Sequence, residues 1–83
     1  MARDPTAATP ASATTRATFA ANLRRERRRV GLSQEALAAA SGLHRTEVSL
    51  LERGGRDPRL STVVRVADAL GVPPPALLAG LGV

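Results

Sequence analysis

Apolar side chains recur at helical spacing from residue 18 onward, and glycine or proline interrupts them at intervals. Phe19, Leu23 and Val30, with Arg27 on the same stripe, predict a first helix over about 18–30. Thr18 is placed to cap its start and Gly31 to follow its end. A second helix is predicted over Gln34–Ala40. Ser33 suits its N-cap, and Glu35 favours the positive end of the helix dipole. A third runs from Arg45 to about Arg53 and stops at Gly54-Gly55. Arg56-Asp57-Pro58 reads as a turn. A fourth helix spans Leu60–Leu70, with Leu60, Val63, Val64, Ala67 and Leu70 as its apolar side and Gly71 at its end. Pro73-Pro74-Pro75 sets a break before a short fifth helix over about 75–79. No strand pattern survives, because Val63-Val64 sits inside a helical period. The predicted fold class is all-α, a compact bundle of about five short helices.

Within that bundle, the stretch from Gly31 to Gly54 has its own logic. Two short helices meet at a tight turn, and the turn requires a residue that accepts positive φ, which Gly42 does without strain. Closely crossing helices need a small residue at the crossing, the place of Ala38. Leu37, Leu43, Val48 and Leu51 then point inward. At about 100° per residue, Thr46, Ser49, Leu50 and Arg53 fall on the opposite side of the third helix, with Arg45 at its start. This is the spacing of a helix-turn-helix, which lays one helix in the major groove of DNA.

Composition narrows the setting. Residues 1–15 are mostly Ala, Thr, Ser and Pro with almost no large apolar side chain, so residues 1–16 are expected to form a disordered N-terminal arm. Residues 17–83 are expected to form one helix-turn-helix DNA-binding domain. Arg3 and Arg16 are too sparse to make the arm a DNA-binding one. The chain carries twelve basic and seven acidic residues, a formal charge of +5. Every basic residue is Arg, a choice that fits a GC-rich coding bias. The positive sign itself favours polyanionic partners. Arg24, Arg25, Arg28 and Arg29 flank Arg27 in a run that reads first as a solvated face.

The chain has no cysteine, so no disulfide or thiolate metal site is available, and a cytoplasmic setting is expected. No apolar run approaches the ~20 residues of a membrane span, and no signal peptide is expected. His44 is the only histidine, so no metal site is expected, and no cofactor. Paired carboxylates and glycine-rich phosphate loops are missing, and Ser33, Ser41, Ser49 and Ser61 have capping or surface readings. Enzymatic chemistry is therefore not expected.

Several segments carry a specific resemblance. They are Phe19…Leu23…Arg27, Gly31-Leu-Ser-Gln-Glu35, Leu37-Ala38, Ser41-Gly-Leu43 and Val48-Ser-Leu-Leu-Glu-Arg-Gly54. Arg56-Asp-Pro58, Leu60 and Ala67-Asp-Ala-Leu-Gly-Val72 continue the series. In this order and spacing they resemble the lambda-repressor/Cro-like helix-turn-helix family of the xenobiotic-response-element type, over about residues 19–78. His44-Arg-Thr-Glu-Val-Ser49 is also similar to the recognition helix of restriction–modification controller proteins.

The resemblance implies that Gln34 touches a phosphate, helped by the N–H groups at its helix end. It implies that Arg45 and Thr46 meet base edges, Arg through guanine O6 and N7 and Thr through a thymine methyl. Ser49 is assigned a short polar contact with a base or phosphate, and Arg53 and Arg56 lie near the backbone at the far edge. Glu52 pairs with Arg27 and braces the third helix.

Two positions depart from the pattern. His44 stands where the family usually places Ser, Thr or Asn as a cap. Leu50 stands where a polar or basic residue is frequent, and either a thymine methyl or a protein contact would account for it. Glu47 is read as reaching back to the N–H of His44, in preference to a cytosine contact. Leu77, Leu78, Leu81 and Val83 form an apolar tail, some closing the core and the remainder available to pair two chains. The function implied is a sequence-specific transcriptional regulator that binds double-stranded DNA as a homodimer on a palindromic site. The alternative is an antitoxin or protein-interaction adaptor on the same scaffold, with a protein partner such as a toxin.

Overall fold

A computed structural model describes residues 10–81. Four helices follow in chain order: α1 (Pro10–Arg29), α2 (Gln34–Ser41), α3 (Arg45–Glu52) and α4 (Leu60–Leu70). A single 3₁₀ turn, Pro74–Leu77, comes after them. The described residues contain no strand.

The first helix is longer than its apolar stripe. It begins at Pro10, so residues 10–16, expected within the arm, are helical, and Thr18 lies mid-helix rather than at a cap. Residues 1–9 of the expected arm lie outside the described residues. Proline suits a first helical turn, and alanine, frequent after it, has the highest helix propensity. The extension also has an anchor. Nε of Arg16 donates to the Gly54 carbonyl at 3.1 Å, and its Nη1 lies 3.8 Å from Asp57. At the other end, the N–H of Leu32 returns to the Arg27 carbonyl and that of Gly31 to Arg28, both at 3.1 Å, satisfying last-turn acceptors.

The core is assembled from every element. Phe19 and Leu23 of α1, Leu37 and Ala38 of α2, and Val48 and Leu51 of α3 are buried together with Val63, Val66, Ala67 and Leu70 of α4 and Leu77. Leu43 is partly buried against this cluster. Two expectations need correction. Val30 is not part of the stripe that packs; it is exposed. On α4 the buried side is Thr62, Val63, Val66, Ala67 and Leu70, while Leu60 is 78% exposed and Val64 45%. The five buried residues span an arc of about 140° at 100° per residue, and Leu60 and Val64 fall just past its edge. Docking against α2 and the 3₁₀ turn selects that arc; residue type alone places the apolar face one step too far round.

The fifth helix shrinks to the 3₁₀ turn because three successive prolines offer no N–H. The first bonds that form are short-range, Ala76 N–H to the Pro73 carbonyl at 2.9 Å and Leu78 N–H to Pro75 at 3.0 Å. Leu77 is buried, Leu78 is exposed and Leu81 is partly covered; Val83 lies outside the described residues. Asn22 ties this segment to α1. It is buried, its Nδ2 donates to the carbonyls of Leu77 and Ala79 at 2.9 Å each, and its Oδ1 accepts from Arg25 at 2.8 Å. A buried amide with these partners meets the requirement that polar groups taken from water be satisfied.

Candidate nucleic-acid interface

The α2–turn–α3 unit follows from local chemistry. The Ser33 hydroxyl accepts from the Ala36 N–H at 3.0 Å and caps α2. Ser41, the last residue of α2, is buried and returns its hydroxyl to the Leu37 carbonyl at 2.7 Å. Gly42 then takes φ 74°. A Cβ there would meet nothing within 4 Å, so glycine is required by the backbone and not by space. Leu43 N–H bonds back to the Ala38 carbonyl at 3.0 Å, and buried Ala38 lets α3 approach α2 closely. His44 enters α3 in an extended conformation, and its side chain makes no cap hydrogen bond.

α3 has two unlike sides. Val48, Leu51 and Glu52 are buried. Thr46 and Arg53 are exposed on the other side, Arg45 is exposed at the helix start, and Ser49 is partly exposed. Leu50 is partly covered, because its Cδ2 lies against Gly55. Arg56 is exposed on the loop beyond that glycine, and Gln34 is partly exposed at the start of α2. The helix therefore presents Arg45, Thr46, Ser49 and Arg53 along one surface that the described residues leave open. A cleft of 610 Å³ opens beside the start of α3, with His44, Glu47, Arg56, Arg59 and Arg65 among its walls.

The inner side is held by charge as well as by packing. Arg27 grips the Glu52 carboxylate through Nε at 2.5 Å and Nη2 at 2.9 Å, and its Nη1 donates to the Leu32 carbonyl at 2.9 Å. Gln34 adds Nε2 to the same carboxylate at 3.1 Å. Bidentate guanidinium–carboxylate contact gives direction as well as strength. Burial pushes the Glu52 carboxyl upward, but the bonds from Arg27 and Gln34 and the charges of Arg27 and Arg24 outweigh it and hold the group below its ordinary value. The Glu52 hydrogen bond raises the Arg27 guanidinium against the effect of burial.

The structure thus brings Arg27, Gln34 and Glu52 into one cluster linking three helices. Sequence reasoning overlooked the Gln34 bond and the contact from Arg24 Nη1 to the Glu52 main-chain carbonyl. Arg24 was legible only as one member of a charged run. A cation three residues before Arg27 on a helix that packs on α3 was the available signal. Glu26, within that run, is partly buried and pairs with Arg29 at 2.8 Å.

Among the described residues, no helix is long and apolar enough to cross a membrane, and no three His, Cys, Asp or Glu side chains form a metal-binding group.

A recognition helix with an open polar face, braced from behind and joined to its predecessor through a left-handed glycine, defines a helix-turn-helix DNA-binding protein. The helix-turn-helix family model matches residues 23–77, and the chain belongs to that family. Control protein C.SmaI of Serratia marcescens is 45% identical over 64 residues, which cover 77% of this chain and 76% of that protein. The crystal structure of the restriction-modification controller protein C.AhdI from Aeromonas hydrophila matches with a TM-score of 0.75 and 41% identity, over 77% of this chain and 97% of that one. The hypothetical transcription factor NHTF from Neisseria matches with a TM-score of 0.76 and 43% identity, over 87% and 83% of the two chains.

Proposed function

We propose that this chain is a sequence-specific regulator of transcription that acts in the cytoplasm as a homodimer on a palindromic duplex, in the manner of a restriction–modification controller. The observation that carries this reading is the open face of α3, with Arg45 and Thr46 exposed at its leading end while Glu52 and Leu51 are locked behind it. Its likeness to two proteins named as controllers supports the choice of regulator class.

In this reading α3 enters the major groove. Arg45 bonds O6 and N7 of a guanine, and the Thr46 methyl packs on a thymine methyl. Ser49 makes a short polar contact, and the part of Leu50 left exposed meets a base methyl at the groove edge. Gln34, Arg53 and Arg56 contact phosphates and set the register without reading sequence. Gln34 retains a second N–H for this purpose while the other holds Glu52. The DNA-binding domain spans residues 17–83, with residues 10–16 of α1 as an extension. Exposed Leu60 and Val64 at the outer edge of α4, and Leu78 beyond it, supply apolar surface for a two-fold contact. Two such readers face half-sites about 34 Å apart on one side of the duplex.

Selection from a random duplex pool, followed by sequencing, tests this function. A palindromic consensus is expected, bound with an affinity whose logarithm falls linearly with log salt. Arg45→Ala is expected to cost about 1–3 kcal/mol and to relax preference at one position in each half-site. Recovery of no consensus, or an Arg45→Ala protein with unchanged affinity and discrimination, would refute it.

A further inference from the structure

We propose that Arg16 and Arg24 are positioning residues that hold the segment carrying Arg53 and Arg56 in place for phosphate contact, and that the long first helix exists in part to present Arg16. The inference rests on the DNA-binding reading above. Its basis is a bracket of two guanidinium groups at the end of the recognition helix. Arg24 Nη1 donates to the Glu52 carbonyl, and Arg16 Nε donates to the Gly54 carbonyl at 3.1 Å. Arg53 is the residue between them. Its backbone is therefore tied on both sides to α1.

The chemistry favours this arrangement. The last carbonyls of a helix have no donor within the helix and carry the negative end of its dipole. Here the N–H groups of Arg53, Gly54 and Gly55 return to the carbonyls of Ser49, Leu50 and Leu51. The Glu52 and Gly54 carbonyls take the two guanidinium groups instead. Arg16 also pairs with Asp57 at 3.8 Å, next in the chain after Arg56. The main chain of α1 also passes close by, because a Cβ on Gly54 would lie in ordinary contact, 3.7 Å from the N and Cα of Ala17. Ala13, Thr14, Thr15 and Ala17 around Arg16 are exposed, so Arg16 is the side chain through which this part of α1 engages the loop. A loop ordered before binding loses less entropy when its side chains meet the DNA.

The test separates positioning from direct contact and from general stability. Arg16→Met and Arg24→Met are each made in the parent chain and in an Arg53→Ala/Arg56→Ala background. In the DNA-free protein, amide exchange at Arg53, Gly54 and Gly55 is expected to accelerate about tenfold, while exchange at Leu23 and Val66 in the core changes little. Affinity for the selected duplex is expected to fall about threefold to tenfold in the parent chain. In the double-alanine background the same substitutions are expected to add no further loss. An equal loss in both backgrounds would mean that the arginines touch DNA themselves and would overturn the proposal. Unchanged exchange at residues 53–55 would overturn it as well, as would faster exchange with unaltered affinity. If the parent chain binds no duplex, the DNA reading fails and the positioning role falls with it, while the exchange data still judge the bracket by itself.

Discussion

Truncating Glu52 to alanine removes the carboxylate that joins α1, α2 and α3. Glu52 is 2% exposed and accepts three side-chain hydrogen bonds, two from Arg27 and one from Gln34. Its loss leaves the Arg27 guanidinium, 13% exposed, with only the Leu32 carbonyl among these partners. Removing one member of a buried pair costs about 3–5 kcal/mol, chiefly through the unpaired charge that remains. Water reaches part of Arg27, so the lower end, about 3 kcal/mol, is expected. That is a large share of the ~5–15 kcal/mol that holds a small domain together. At about 4–8 °C per kcal/mol it lowers the melting temperature by roughly 10–25 °C.

The assay is urea unfolding followed by circular dichroism on Glu52→Ala, Arg27→Met and the double variant. The double variant orphans no charge, so it should lose less than the sum of the single losses, with a coupling of about 2 kcal/mol. Strict additivity, or a Glu52→Ala cost below about 1 kcal/mol, would refute the claim that this cluster braces α3.

Acid should act through the same carboxyl. Its folded-state value is depressed, so its contribution is fully present above its ordinary value of 4.5 and is lost as pH falls through the lowered folded value. A urea series below pH 4.5 should show that fall, and Glu52→Gln should flatten it. Asn22→Ala deprives the Leu77 and Ala79 carbonyls of their donor and is expected to cost about 1–3 kcal/mol. Limited proteolysis should then cut the C-terminal segment sooner than in the parent. Gly42→Ala creates no clash but places a Cβ at φ 74°, so a loss of about 1–2 kcal/mol in chemical denaturation is expected, with the DNA consensus preserved.

The parts of the fold that were legible share a local cause. The limits of α4 and the start of α3 agree with the predicted ones, and Leu37, Val48 and Leu51 point inward. Ser33 caps α2 and Gly42 turns the chain through interactions that span only a few residues. The candidate site was legible to the same depth. Thr46 and Arg53 follow from the period of α3 once its inner face is known, and Arg45 from its place at the helix start. Thr18 misled because a good capping residue is also tolerated within a helix, and the anchor that justifies the earlier start lies at Gly54 and Asp57.

The chain's own order of residues determined that there would be helices, where most of them end, and that α3 would have a buried and an open side. Helical period and capping chemistry act over three to five residues, so they are written locally. Only the tertiary structure decided which arc of α4 is buried, that Asn22 would be a buried stitch, and that Arg16, Arg24 and Gln34 would converge on the end of α3. Those outcomes depend on groups 18 to 57 residues apart in the chain, whose meeting is set by how the helices pack. A side chain's own type cannot specify which distant carbonyl or carboxylate it will face.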